Sequence, residues 1–251
     1  MIELVNVCAG YDRKEILHRI HLKLEVGKVT VLVGPNGCGK STLLKTLVRI
    51  LPCTSGEILI DGVNLKNIKT RQLAQKVAYL PQSRRIADIS VLRLVLHGRF
   101  SHLTYPRKYR KEDIEIARKA LEWADMADKE EENVSCLSGG MQQKAYIAMA
   151  LAQDADTILM DEPTTYLDIV HQIRLMEMAK RMAREGKAVV MVLHDLSQAL
   201  RVADRVVVME EGYIRAHGTP EEVYAEKSLE KVFGVQIERV AGKKGWHYLL
   251  E

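Results

Sequence analysis

The sequence predicts an α/β fold: a parallel sheet with helices on its faces, interrupted by a helical insertion. Three observations predict it. Short runs at Val29–Val33, 157–160 and 188–193 are apolar but for Thr30 and Thr157, as strands buried on both faces are. A glycine-rich loop joins the first run to a helical pattern. Between residues 90 and 153 the strand-like runs give way to apolar residues at three- and four-residue steps.

Taken in order, residues 20–26 alternate apolar and polar and read as a strand buried on one face. Gly27 and Lys28 turn the chain into the strand at Val29. After the glycine-rich loop a helix runs through Leu43, Leu44, Leu47 and Val48, and Pro52 and Gly56 break its pattern. Residues 57–60 form another strand, ending at the turn Asp61-Gly62. The insertion contains a helix through Ile114, Ala117, Leu121 and Ala124. A helix around Ile169, Ile173, Met176 and Ala179 then separates the last two apolar runs, with Gly186 as its stop. Arg205–Glu210 is a further strand. Thr219-Pro220-Glu221-Glu222 opens a short helix, because threonine caps, proline suits the first turn and Glu222 completes a capping box.

At 251 residues, 47% hydrophobic and 28% charged, the chain is long enough for a folded core without disulfide staples. No apolar run approaches the roughly 20 residues of a membrane-spanning helix. The N-terminus lacks a secretory pattern, so the expectation is a cytosolic chain unless a partner recruits it. Cys8, Cys38, Cys53 and Cys136 have no metal-like spacing and read as free thiols. The net charge of +4 names no partner. The basic segment 107–111 reads as a solvated loop, with an acidic membrane surface or nucleic acid as the alternatives.

Gly34-Pro35-Asn36-Gly37-Cys38-Gly39-Lys40-Ser41 matches G-x-x-x-x-G-K-[ST] between a buried strand and a helix, the context a phosphate loop requires. Glycines let backbone N–H groups converge on phosphate oxygens, and the following helix adds its positive end. Lys40 neutralises phosphate charge, and the Ser41 hydroxyl is placed for Mg²⁺. Thr42 follows within the same cradle. The core is therefore of the P-loop NTPase type, with ATP and Mg²⁺ as cofactors. The run 157–160 ends in Asp161-Glu162-Pro163. Asp161 fits a carboxylate that holds Mg²⁺ through its hydration shell, and Glu162 fits the base that polarises the attacking water. Cys38 sits in the loop beside a helix start and Lys40, where a thiol gains reactivity. Two outcomes stay open there: a thiol whose alkylation blocks ATP binding, or a shielded and inert one.

Leu137-Ser138-Gly139-Gly140-Met141 precedes a helix and resembles the LSGGQ signature of ABC transporter ATP-binding subunits, with Met141 in place of glutamine. The resemblance spans nearly the whole chain and implies further roles. Tyr11 stands where the family stacks an aromatic ring on adenine. Gln82 matches the Q-loop that links Mg²⁺ and water to the membrane partner. Asp168 matches the D-loop, and His194 the switch histidine at the γ-phosphate. The catalytic set expected is Glu162, His194 and Gln82, with Ser41, Gln82 and Asp161 at the metal. Ser138, Gly139 and Gly140 are expected to bind nucleotide held by a second copy of the chain, in a head-to-tail homodimer.

The fold implied has an N-terminal antiparallel β portion and a helical insertion subdomain. The nucleotide-binding core covers 1–89 and 154–218, the signature subdomain 90–153 and a tail 219–251. A narrower resemblance lies in residues 162–169, His171-Gln172, residues 98–102 and residues 232–235, which are similar to the ATPases of iron–siderophore, haem and vitamin B12 importers. It implies permease subunits as partners, a substrate-binding protein acting indirectly, no nucleic acid, and a peripheral place on the cytoplasmic face of the membrane. The alternative is a soluble ATPase of the same superfamily, such as an iron–sulfur cluster assembly factor. A P-loop kinase or nucleotide switch is a second rival, and it predicts no role for Ser138.

Overall fold

In the computed structural model, which describes residues 1–12, 14–82, 86–242 and 245–250, the chain divides into two compact units. The first comprises residues 1–68 and 176–251, the second residues 69–175.

The first unit begins with strands β1 (Ile2–Tyr11) and β2 (Lys14–Leu24), which pair antiparallel. Strand β3 (Val29–Val33), helix α1 (Lys40–Leu47), and strands β4 (Cys53–Ile60) and β5 (Val63–Asn64) follow. Leu4 faces Leu22 on one side and Ile58 on the other, so three strands bury one apolar row. The alternating pattern from residue 20 is the end of a longer strand; it stops at Leu24, and Glu25 leaves the sheet to pair with Arg205 at 2.9 Å.

The second unit holds α2 (Thr70–Lys76), β6 (Val77–Leu80), α3 (Val91–His97), α4 (Lys111–Trp123), α5 (Gly139–Ala152) and β7 (Thr157–Asp161). Strands β6 and β7 pair in parallel, Tyr79 opposite Leu159 and Leu80 opposite Met160. Every residue of β7 is buried, including Asp161. Helices α3, α4 and α5 pack on one another, and Val95, Ala117, Leu121, Ala145 and Ala148 on them are buried. Small alanines let these helices approach closely, and each large buried side chain contributes about 1.5–3 kcal/mol. Arg99, in the turn after α3, donates to Asp113 Oδ1 at 3.1 Å and to the Ala152 carbonyl at 3.0 Å. Burial would raise the Asp113 carboxyl, but the Arg110 N–H and the Arg99 guanidinium outweigh it and hold it below its ordinary value.

The unit boundary falls within α6 (Ile169–Arg184), and the chain returns to the first unit. There β8 (Ala188–Val192), α7 (Leu196–Val202), β9 (Arg205–Glu210) and β10 (Tyr213–Gly218) extend a sheet in which β3 runs parallel to both β8 and β9. Val31 faces Met191 on one side and Val206 on the other; all three are fully buried. Helix α8 (Pro220–Ala225) carries the expected capping box, Thr219 and Glu222 each accepting from the other's N–H. Helix α9 (Ser228–Phe233) and a hairpin of β11 (Ile237–Gly242) and β12 (Gly245–Leu250) complete the chain. The hairpin is tied to α7 by Ser197 Oγ, which donates to the Tyr248 carbonyl at 2.7 Å.

Candidate active site

In the first unit the phosphate loop leaves the C-terminal end of β3, the end at which open parallel sheets bind ligands. Two of its glycines are required by space. A Cβ on Gly34 would lie 2.1 Å from the Met209 carbonyl oxygen. Gly39 has φ 107°, and its Cβ would meet Leu17 Cδ2 at 2.8 Å. Lys40 opens α1 and is 94% buried, its exposure being 6%. Its ammonium donates to the carbonyls of Gly34 at 2.7 Å and Pro35 at 2.9 Å, and stands 3.7 Å from Cys38 Sγ. The loop is thus curled around a buried positive charge at a helix N-terminus, an arrangement suited to a polyphosphate.

Tyr11 ends β1 with its ring exposed. The Lys45 ammonium lies 3.5 Å from its hydroxyl and 5.9 Å from its ring centroid. His194 is exposed just beyond β8, one residue before Asp195, which caps α7 by accepting from the Gln198 N–H at 3.0 Å.

In the second unit β7 delivers Asp161 and Glu162 to one strand end. Asp161 is 2% exposed, and Tyr79 Oη donates to its Oδ2 at 3.3 Å. Glu162 adopts φ 50°, a left-handed conformation that costs an ordinary residue about 1–3 kcal/mol and tends to occur at functional turns. Gln82, just beyond β6, donates from Nε2 to Glu162 Oε2 at 2.5 Å. The two strand ends therefore present their polar residues to each other.

The turn after Glu162 is braced from two helices. Gln143 of α5, itself buried, donates to the Pro163 carbonyl at 2.8 Å. Gln172 of α6 donates to the Leu167 carbonyl at 3.1 Å. Asp168 accepts from the backbone N–H of His171 at 2.9 Å, which holds its carboxyl below the ordinary value, and contacts the His171 ring at 2.7 Å. Ser138 is the N-cap of α5, accepting from the Met141 N–H at 3.5 Å, and is exposed together with Gly139. Met141 follows in the first turn, where its backbone takes part and its side chain need not. A cavity of about 460 Å³ opens between this helix start and the Gln82 segment, lined also by Gln143, Thr165 and Tyr166.

Tyr79, Lys45 and Gln143 carry no role that sequence reasoning assigns, and Gln172, quoted there only as part of the narrower resemblance, gains its bracing role from the structure. Their partners are set by strand pairing and helix packing, which single residues do not announce. For the metal, the donor chemistry fits: Ser41, Gln82 and Asp161 offer hard oxygens, the kind Mg²⁺ takes. Mg²⁺ keeps several waters and nucleotide oxygens, so it does not need an all-protein cage. Among the described residues no group of three His, Cys, Asp or Glu forms such a cage.

The family model described as ABC transporter matches residues 17–165. The petrobactin import ATP-binding protein FpuD of Bacillus anthracis is 40% identical over 239 residues, 94% of this chain and 88% of that protein. The ferric enterobactin transport ATP-binding protein FepC of Escherichia coli is 38% identical over 229 residues, 90% of this chain and 84% of that one. Among solved structures, a metal-chelate type ABC transporter in an inward-facing conformation superposes with a TM-score of 0.84. That likeness covers 100% of this chain and 97% of the other at 24% identity, and it shows the fold.

Proposed function

This chain belongs to the ABC transporter ATP-binding family, and from that premise we propose that it drives uptake of a ferric siderophore or a related metal chelate such as haem or cobalamin. The chain is an ATPase, a transport subunit that binds ATP and hydrolyses it. The cargo assignment is supported by the petrobactin and enterobactin import proteins at 38–40% identity over nine-tenths or more of the chain.

The observation that carries the catalytic reading is the 2.5 Å contact of Gln82 with Glu162, one residue from the buried Asp161. In this reading Glu162 accepts a proton from the attacking water as its oxygen bonds to the γ-phosphorus and the bond from that phosphorus to the β–γ bridging oxygen breaks, leaving ADP and phosphate; Gln82 orients the carboxylate toward that water. Lys40 and the loop from Gly34 to Thr42 hold the phosphates, and Tyr11 stacks on adenine. Ser41, Gln82 and Asp161 would hold Mg²⁺, which when bound would neutralise phosphate charge. His194 contacts the γ-phosphate. Ser138, Gly139 and Gly140 close on nucleotide held by a second copy, with Asp168 at the same junction, so two copies head to tail make two sites.

Closure of that pair would act on transmembrane permease subunits, with a substrate-binding protein delivering the chelate outside. Among the described residues no helix is long and apolar enough to cross a membrane, so attachment to the cytoplasmic face would come through the permease. The test is co-purification of the tagged chain with a polytopic membrane protein, followed by reconstitution. ATPase activity should rise when a binding protein loaded with a ferric siderophore is added. An exclusively soluble complex would instead support the cluster-assembly alternative.

A further inference from the structure

Asp161 is a buried carboxylate at a strand end. A carboxylate 2% exposed is costly to keep ionised unless donors surround it, and its usefulness to a cation depends on how it is aimed. One donor comes from the neighbouring strand. In the β6–β7 pair Tyr79 stands opposite Leu159, and Asp161 lies one pleat repeat further on the same face. That diagonal separation is within reach of an aromatic side chain, and Tyr79 Oη ends 3.3 Å from Asp161 Oδ2. Three residues later the same segment sends Gln82 to Glu162. The end of β6 therefore serves both acids at the end of β7, Asp161 through a phenol and Glu162, just beyond it, through an amide.

We propose that Tyr79 is a positioning residue for Asp161, fixing the carboxylate rotamer that takes Mg²⁺ and so setting how tightly the chain holds the cation with its nucleotide. The inference rests on the reading that Asp161 holds Mg²⁺. Tyr79 does not touch the reacting atoms; it acts through the carboxylate. The strand pairing places the phenol beside the carboxylate.

Tyr79→Phe keeps the ring and its packing and removes only the hydroxyl. The full-length chain, binding a fluorescent ATP analogue, is titrated with Mg²⁺, and Mn²⁺ bound in the presence of a non-hydrolysable analogue is measured by electron paramagnetic resonance. Tyr79→Phe should raise the half-saturating Mg²⁺ concentration about 10-fold. Nucleotide affinity in chelator should stay within about twofold, and kcat at saturating Mg²⁺ within about threefold. A loss of Mg²⁺-free nucleotide affinity as large as the change in Mg²⁺ dependence would mean general disruption, and would overturn the proposal. So would a Mg²⁺ titration that superimposes on the parent's. Asp161→Asn separates the two levels: if it also titrates like the parent, the role given to Asp161 fails. If Asp161→Asn is impaired while Tyr79→Phe is not, only the positioning role fails.

Discussion

Gln82 and Glu162, 80 residues apart in sequence, meet at 2.5 Å, the glutamine amide donating to the carboxylate. The contact joins the end of β6 to the end of β7 and gives the proposed base a fixed orientation. Glu162 follows the last residue of β7 with a left-handed backbone. A base so held should be sensitive to loss of charge and less so to loss of its partner.

Glu162→Gln should keep the fold and ATP binding while turnover falls by roughly 10²–10⁴, the usual worth of a general base. ATP-bound dimers should accumulate and be visible by light scattering with saturating ATP and Mg²⁺. A variant that stays monomeric under those conditions would exclude the head-to-tail mechanism.

Ser138 separates a capping role from a ligand role. Ser138→Ala should cost about 1 kcal/mol of stability, the ordinary worth of an N-cap. Ser138→Asp keeps a good cap but places a negative charge where a second copy's γ-phosphate would bind. Its melting temperature should match the parent's, while ATP-driven dimerisation is lost. Dimers of Ser138→Asp at parental ATP concentrations would remove Ser138 from the site.

Cys38 stands 3.7 Å from the Lys40 ammonium and against the Gly34 turn, so any adduct there must displace the loop. Bound MgATP should slow its alkylation by about 10-fold or more, and the alkylated chain should not bind ATP. Cys53, which is partly exposed, serves as the internal reference in peptide mass mapping. Equal Cys38 rates with and without MgATP would contradict this.

The Arg99–Asp113 pair ties the turn after α3 to the start of α4. Arg99→Ala strands a buried carboxylate and should destabilise the chain by about 3 kcal/mol in urea unfolding. Because Asp113 is held below its ordinary 3.8, its contribution is fully present above that value and is lost as pH falls through the lower folded value. The stability gap between the parent and Asp113→Asn should therefore be constant near neutrality and narrow below about pH 4. A gap that widens on acidification would mean the carboxyl is not held ionised.

The sequence by itself determined what depends on contiguous residues. The phosphate loop, the predominantly apolar, buried strands at Val29, Thr157 and Ala188, the capping box at Thr219 and the signature at Leu137 are each written within a few positions. Backbone geometry and burial constrain such segments locally: Gly39 must be glycine wherever its loop closes at φ 107°. The family and its ATPase chemistry were legible for the same reason. Tertiary structure alone decided the partners. Tyr79 and Asp161 lie 82 residues apart, and Arg99 and the Ala152 carbonyl 53. Nothing near Tyr79 marks it as different from any other strand tyrosine. The terminal hairpin has no sequence pattern of its own; its strands are held by each other and by α7. Which phenol aims which carboxylate is a matter of strand register, and register exists only once the strands have paired.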